Sequence, residues 1–322
     1  MIKKILLFLA ALIVLLMVVA GLFIGPYFLN VEHFDSNSSR GYQADFYLYV
    51  SPGARELAKE GGVVTLLIQP NNSGTTSDDP QVHQRDAWFT GFERQKIADE
   101  LNVVLLVPAF IRPATDWQIY THALDRDVLT TQRKDLIRID LQLLAMIDSA
   151  RAYLEDLGIS SNRKFLIQGF SASGMFANRF TALHPNRVLA ATIGSPGGWP
   201  IAPVESYQNT LLPYPAGISD LESLTGKPFD RAAYSSIPQL IYMGSEDDND
   251  SLDFSDGWEA ETANTVDSLF GSDPQTRWSK AEMLYQKAGA SAKFLLIDGV
   301  DHNRKALQSY STAFFKEILD QK

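Results

Sequence analysis

Cysteine is absent from this 322-residue chain. That absence rules out disulfides, thiolate nucleophiles and cysteine metal ligands, and it leaves the redox compartment open. Histidine is scarce too: the five stand at 33, 83, 122, 184 and 302. No two have the spacing of a zinc-ligating pair, so no metal is expected. Positive charge falls short as well, with 28 Lys and Arg against 38 Asp and Glu, a net charge of -10 and no long basic run. A nucleic-acid groove needs a positive field, so nucleic acid is not an expected partner. What the chain has in quantity is apolar surface. Hydrophobic residues make up 45% and aromatics 11%, enough for one large domain or two small ones.

The N-terminus carries the one long apolar run. Lys3 and Lys4 precede residues 5–24, which are almost unbroken in Leu, Ile, Val, Ala and Phe. A run of that length is enough to span a bilayer. The lysines favour a cytoplasmic N-terminus with the remainder outside. Residues 1–25 are therefore expected to be a transmembrane anchor, making the membrane a partner and the rest an extracytoplasmic domain. Val18-Val19-Ala20 offers a weak cleavage site, so a cleaved signal and secretion is the competing reading. Residues 26–41, with Pro26, Asn30 and the run Asp35-Ser36-Asn37-Ser38-Ser39, read as a polar linker.

Beyond it, short continuous apolar runs alternate with helical patterns. Expected strands fall at 45–50, 63–68, 103–107, 165–167, 189–193, 239–243 and 293–297; continuous Val, Ile and Leu suits strands covered on both faces. Between two of them Leu136, Ile139, Leu143, Ile147, Ala150, Leu154 and Leu157 trace one helix face, and Gly158 stops it. Such alternation predicts one α/β domain over 42–322, with a mostly parallel sheet and helices on both faces. Residues 195–236 interrupt it. Rich in Pro, Gly, Tyr and Trp, they read as a cap-like insertion or an ordinary surface excursion.

The chemistry is carried by Gly169-Phe170-Ser171-Ala172-Ser173-Gly174. A strand, a turn of small residues with a serine at its apex, and a following helix make a nucleophile elbow. A serine hydroxyl needs a base to take its proton and an acid to orient that base. In such sheets these partners follow at the ends of later strands, in the order Ser, acid, His. After 239–243 comes Gly244-Ser245-Glu246-Asp247-Asp248-Asn249-Asp250, and after 293–297 comes Asp298-Gly299-Val300-Asp301-His302. The candidate trio is Ser171, Asp247 and His302, with Asp248 the alternative acid. This acidic loop lacks the glycine and distal glutamate of an EF-hand, so calcium is not expected. Trp117 and Tyr120, after the strand at 103–107, and Trp199, after the strand at 189–193, are candidate substrate-binding aromatics; packing within their own loops is the alternative. His184, followed by Pro185, reads as a structural helix end.

These motifs resemble the α/β-hydrolase superfamily, and within it secreted serine esterases of the polyhydroxyalkanoate depolymerase and feruloyl esterase type, over roughly residues 42–320. The resemblance implies a serine hydrolase working through an acyl-enzyme on a small or polymeric ester, with no cofactor. It also implies an oxyanion hole built from the amide of Ala172 and an amide of the 69–74 turn, Asn72 first and Asn71 second. Two departures stand out: Ser173 takes the usual glycine position, and no His-Gly pair follows the strand at 63–68. A serine peptidase of the oligopeptidase type would use the same trio. A non-catalytic binding module on a hydrolase scaffold is the reading from outside enzymology.

Overall fold

Strands covered on both faces must send alternate side chains into two separate cores, and this chain does so. In the computed structural model, which describes residues 2–23, 31–72 and 74–321, Phe46, Leu48 and Val50 enter one apolar cluster while Tyr47 and Tyr49 enter another. Leu66, Ile68, Ile167 and Ile193 follow the first set, and Leu67, Leu105, Leu166 and Ala190 the second. Helices Ile139–Asp156 and Ala172–Leu183 seal the first face. Helices Pro80–Leu101 and Arg304–Asp320 seal the other.

The sheet has eight strands: β1 (Val31–Phe34), β2 (Phe46–Val50), β3 (Leu66–Ile68), β4 (Val104–Pro108), β5 (Phe165–Phe170), β6 (Val188–Gly194), β9 (Gln239–Gly244) and β10 (Ala292–Ile297). A small hairpin, β7 (Ser206–Tyr207) with β8 (Thr210–Leu211), lies apart from it. The order is β1-β2-β4-β3-β5-β6-β9-β10. Pairs β1/β2 and β2/β4 are antiparallel and the rest parallel. Strands β5, β9 and β10 therefore end on the same rim, where the order of the chain brings the loops bearing Ser171, Asp247 and His302.

Two expectations need revision. A helix does form over Ile2–Phe23, yet among the described residues no helix is long and apolar enough to cross a membrane. The expected transmembrane anchor is thereby overturned. The segment read as a polar linker, in turn, contributes β1. Phe34 stacks on Phe46 at 4.5 Å and His33 on Tyr47 at 4.9 Å, so cross-strand ring contacts hold a strand of polar composition. Residues 26–30 of the expected linker, Pro26 and Asn30 among them, lie outside the described residues.

The insertion at 195–236 contains the hairpin and short helices Leu221–Thr225 and Arg231–Ser235. It is fastened to the body by an Arg126–Asp220 ion pair at 2.6 Å and by the Tyr214 hydroxyl donating to the Leu124 carbonyl.

Candidate active site

Ser171 sits between β5 and helix Ala172–Leu183 with φ 59° and ψ -127°, a conformation that costs a non-glycine residue about 1–3 kcal/mol. Its neighbours hold it there. The Ser171 N–H donates to the Gly194 carbonyl at 2.9 Å, and the Met175 N–H donates to the Ser171 carbonyl at 2.9 Å. A Cβ on Gly169 would lie 1.8 Å from the Ser173 carbonyl oxygen, so the turn closes only with glycine at that position. A Cβ on Gly174 would lie 2.4 Å from the Gly194 carbonyl oxygen, where the helix presses against β6. The unusual Ser173 has a structural role. Its hydroxyl accepts from the Phe170 N–H at 3.0 Å and donates to the Phe170 carbonyl at 2.9 Å, tying the turn at its base.

His302 follows β10 on the same rim. Its Nδ1 lies 2.9 Å from both carboxylate oxygens of Asp247, which follows β9. This pairing puts the ring proton on Nδ1 and leaves Nε2 free to accept one. Asp247 is 2% exposed, whereas Asp248 is exposed and makes no such contact, so of the two carboxylates it is Asp247 that meets His302. Burial pulls the Asp247 pKa upward. Hydrogen bonding to His302 and the nearby Ser195 hydroxyl outweigh it, holding the carboxyl below its ordinary value. Ser195 acts there by proximity, since its buried oxygen has no partner at hydrogen-bond geometry. The Asn249 N–H adds a bond to Oδ1 at 3.1 Å, and the Gln275 amide donates to the Asp247 carbonyl. The Phe170 ring lies 4.8 Å from the imidazole, tilted by 50°, and flanks the ring just before the nucleophile.

Ser171 and His302 line one cavity of about 400 Å³, together with Gln69, Asn72, Phe170 and Arg94. Ala172 is the first residue of its helix, so its N–H has no acceptor within the helix and gains from the dipole. The Asn72 side chain donates to the Phe170 carbonyl at 3.2 Å, pinning the loop after β3 against the elbow. The Asn71 side-chain amide donates to the Phe110 carbonyl at 2.9 Å, and its side-chain oxygen accepts from the Phe110 N–H at 3.2 Å. Ser73 lies outside the described residues.

The three aromatic candidates part company. Tyr120 packs against the small cluster of Ala123, Ala172 and Met175 beside the elbow, under the Arg112 guanidinium at 3.8 Å from its ring centre. Trp117 is 44% exposed and lies outside the cavity lining. Trp199 is a core residue: 1% exposed, stacked on Phe270 at 4.3 Å, its indole N–H bound to the Ala216 carbonyl at 2.9 Å. It does not line the cavity, and neither does any other residue of the 195–236 insertion. His184 ends its helix, with Nε2 2.8 Å from the buried Asp140 carboxylate. Sequence reasoning passed over Arg94, Arg304, Thr90 and Glu93 in the cavity wall. Only Arg304, two residues past His302, carried a positional hint.

An elbow after β5, an acid after β9 and a histidine after β10 on this strand order define the α/β-hydrolase fold. No protein-family description matches the chain, and no curated protein matches it in sequence. Solved structures do. Poly(aspartic acid) hydrolase-1 from Sphingomonas sp. KT-1 superposes with a TM-score of 0.56 at 18% identity, covering 88% of this chain and 97% of that one. A poly(3-hydroxybutyrate) depolymerase from Bordetella parapertussis gives 0.50 at 14% identity, covering 89% and 90%. At these identities the likeness is one of fold.

Proposed function

We propose that this protein is a serine hydrolase that cleaves carboxylic esters through an acyl-enzyme. In this reading Ser171 Oγ attacks the carbonyl carbon while its proton passes to His302 Nε2. Asp247 keeps the imidazole in the tautomer that can accept the proton, and stabilises the imidazolium. The tetrahedral oxyanion is held by the amides of Ala172 and Asn72, each such donor typically contributing about 2.7–4 kcal/mol. Collapse expels the alcohol, which takes the proton from His302. Water, deprotonated by the same nitrogen, then attacks the acyl carbon and frees Ser171.

One observation carries the reading: a strained serine shares a cavity with a histidine whose Nδ1 is bound by a buried carboxylate. The two solved structures of like fold are named for a polyamide and a polyester, which fits a hydrolase of acyl bonds and leaves the substrate to experiment. The direct test is labelling with a fluorophosphonate probe alongside turnover of 4-nitrophenyl butyrate and of a matching anilide. Labelling and ester turnover should both vanish in Ser171→Ala. An unlabelled parent protein sinks the proposal. We further propose that the domain acts outside the cytoplasm, with the apolar run behind Lys3 and Lys4 serving as a cleaved signal that ends near Val18-Val19-Ala20. Recovery of all activity from the cytoplasmic fraction would refute that.

A further inference from the structure

The chain as a whole is acidic, at -10, yet the wall of the Ser171 cavity is not. It contains two guanidiniums, Arg94 and Arg304, against one carboxylate, Glu93. That carboxylate is already taken, because Arg304 Nη2 binds it at 2.8 Å. Arg94 projects from helix Pro80–Leu101, is 8% exposed and, among the described residues, has no ion-pair partner. Its Nη1 donates to the neutral Gln308 side chain at 2.9 Å, and its buried Nε has no partner. Burial, then the charge of Arg304, push its pKa down to about 10, with Glu93 and Tyr242 offsetting in part. It therefore stays cationic at neutral pH. Buried guanidiniums are ordinarily paired, because an uncompensated charge in a low-dielectric setting is costly. Arg94 is at the same time part of the wall of the cavity that holds Ser171 and His302.

We propose that Arg94, assisted by Arg304, is an anion subsite that selects substrates carrying a carboxylate within reach of the scissile bond. The inference rests on the serine-hydrolase reading and specifies its substrate class: acidic esters, with the charge on either the acyl or the alcohol part. A planar guanidinium can grip a carboxylate through two parallel N–H···O bonds, which fixes orientation as well as charge. Gln308, neutral and acceptor-only towards Arg94, orients the fork without neutralising it.

The test uses two matched pairs of esters on the full chain. Mono-4-nitrophenyl glutarate is set against 4-nitrophenyl pentanoate, and 3-carboxyphenyl butyrate against phenyl butyrate. At least one anionic ester should exceed its neutral match by about tenfold or more in kcat/KM. Arg94→Gln should collapse that ratio and Arg94→Lys should restore part of it. Arg304→Gln, at a partly exposed side chain that folding tolerates, should lower it as well. A merely structural Arg94 would lower the melting temperature of Arg94→Gln and leave the ratio alone, which overturns the proposal. So does an absence of preference in both pairs. Either result leaves the hydrolase reading standing if the fluorophosphonate still labels Ser171. Should no ester be turned over, calorimetric titration of Ser171→Ala with glutarate decides the subsite without catalysis. Binding that disappears on adding Arg94→Gln supports it, and no binding at all overturns it.

Discussion

Replacing Gly169 by alanine isolates the geometry of the elbow from its chemistry. The added Cβ would stand 1.8 Å from the Ser173 carbonyl oxygen and 2.2 Å from its carbon, both backbone atoms of the turn that carries Ser171. Moving from 1.8 Å out to the 3.0 Å that real Cβ contacts respect requires a shift of about 1.2 Å. No flexible side chain can absorb it. Forced packing of this kind costs about 1–3 kcal/mol, and each kcal/mol lowers the melting temperature by roughly 2–4 °C in chains of a few hundred residues. A displacement of about 1 Å at the reacting atoms costs on the order of 100-fold in rate. Gly169→Ala should therefore melt several degrees lower and lose most of its turnover of 4-nitrophenyl butyrate. Gly91→Ala is the matched control. It lies mid-helix in Pro80–Leu101, and its Cβ would meet only a Val107 methyl at 3.8 Å. That change should stabilise the protein by about 0.5–1 kcal/mol. A Gly169→Ala protein with the parent's melting temperature and activity within about threefold would refute the argument that rate follows the placement of this turn.

Asp247→Asn should lower kcat by about 10⁴-fold, because an amide can hold His302 in the wrong tautomer. Asp248→Asn, at an exposed position, should change stability by less than about 0.5 kcal/mol. Stopped assays and thermal melts on the two variants check both outcomes. Ser173→Ala removes both ties to Phe170 and strands its N–H, a loss of about 1–3 kcal/mol readable in urea melts. Acid should unfold the protein partly through Asp140: burial raises its pKa, but bonds to His184 and Arg138 outweigh this and bring it down to about 2. Since the folded value lies below the unfolded one, its stabilisation is full above about pH 4 and is lost as pH falls towards 2. The amount is roughly 2 kcal/mol. Urea melts across that range should show the step, and Asp140→Asn should flatten it.

Strands β2 to β6 and β9 could be read in advance because a strand covered on both faces is a continuous apolar run. Strand β10, at the opposite edge from β1, could be read because Phe294-Leu295-Leu296-Ile297 is apolar, although none of its residues is fully buried. Strand β1 escaped because an edge strand needs only half its residues inward, and Val31-Glu32-His33-Phe34 shows that pattern too briefly to register. Strand β5 was expected to end at Ile167 but runs on to Phe170, through Gln168 and Gly169, which are poor strand formers. Their place is set by contacts made late in the chain, such as the Ser311 hydroxyl donating to Gln168 Oε1 at 3.1 Å.

The same division runs through the site. Ser171, Asp247 and His302 follow strands, and a parallel sheet sends the ends of its parallel strands to one rim, so chain order alone was enough to group them. Trp199 looked the same from its sequence position, in a Pro- and Gly-rich loop after a strand. Its fate was decided by Phe270, 71 residues away, which offered a stacking surface inside the body. Choosing between Asp247 and Asp248 likewise needed the rotation of one loop, which buries the first and turns the second outward. Arg94 is the extreme case, since it is one charged residue on a helix among others, with Glu93, Arg85 and Lys96 on the same element. Only the docking of that helix beside the elbow puts Arg94 and Glu93 in the cavity wall and leaves Arg85 and Lys96 outside it. Residues at strand ends inherit their position from topology, whereas residues on helix faces inherit it from packing. The part of a hydrolase that chooses its substrate falls mostly in the second group.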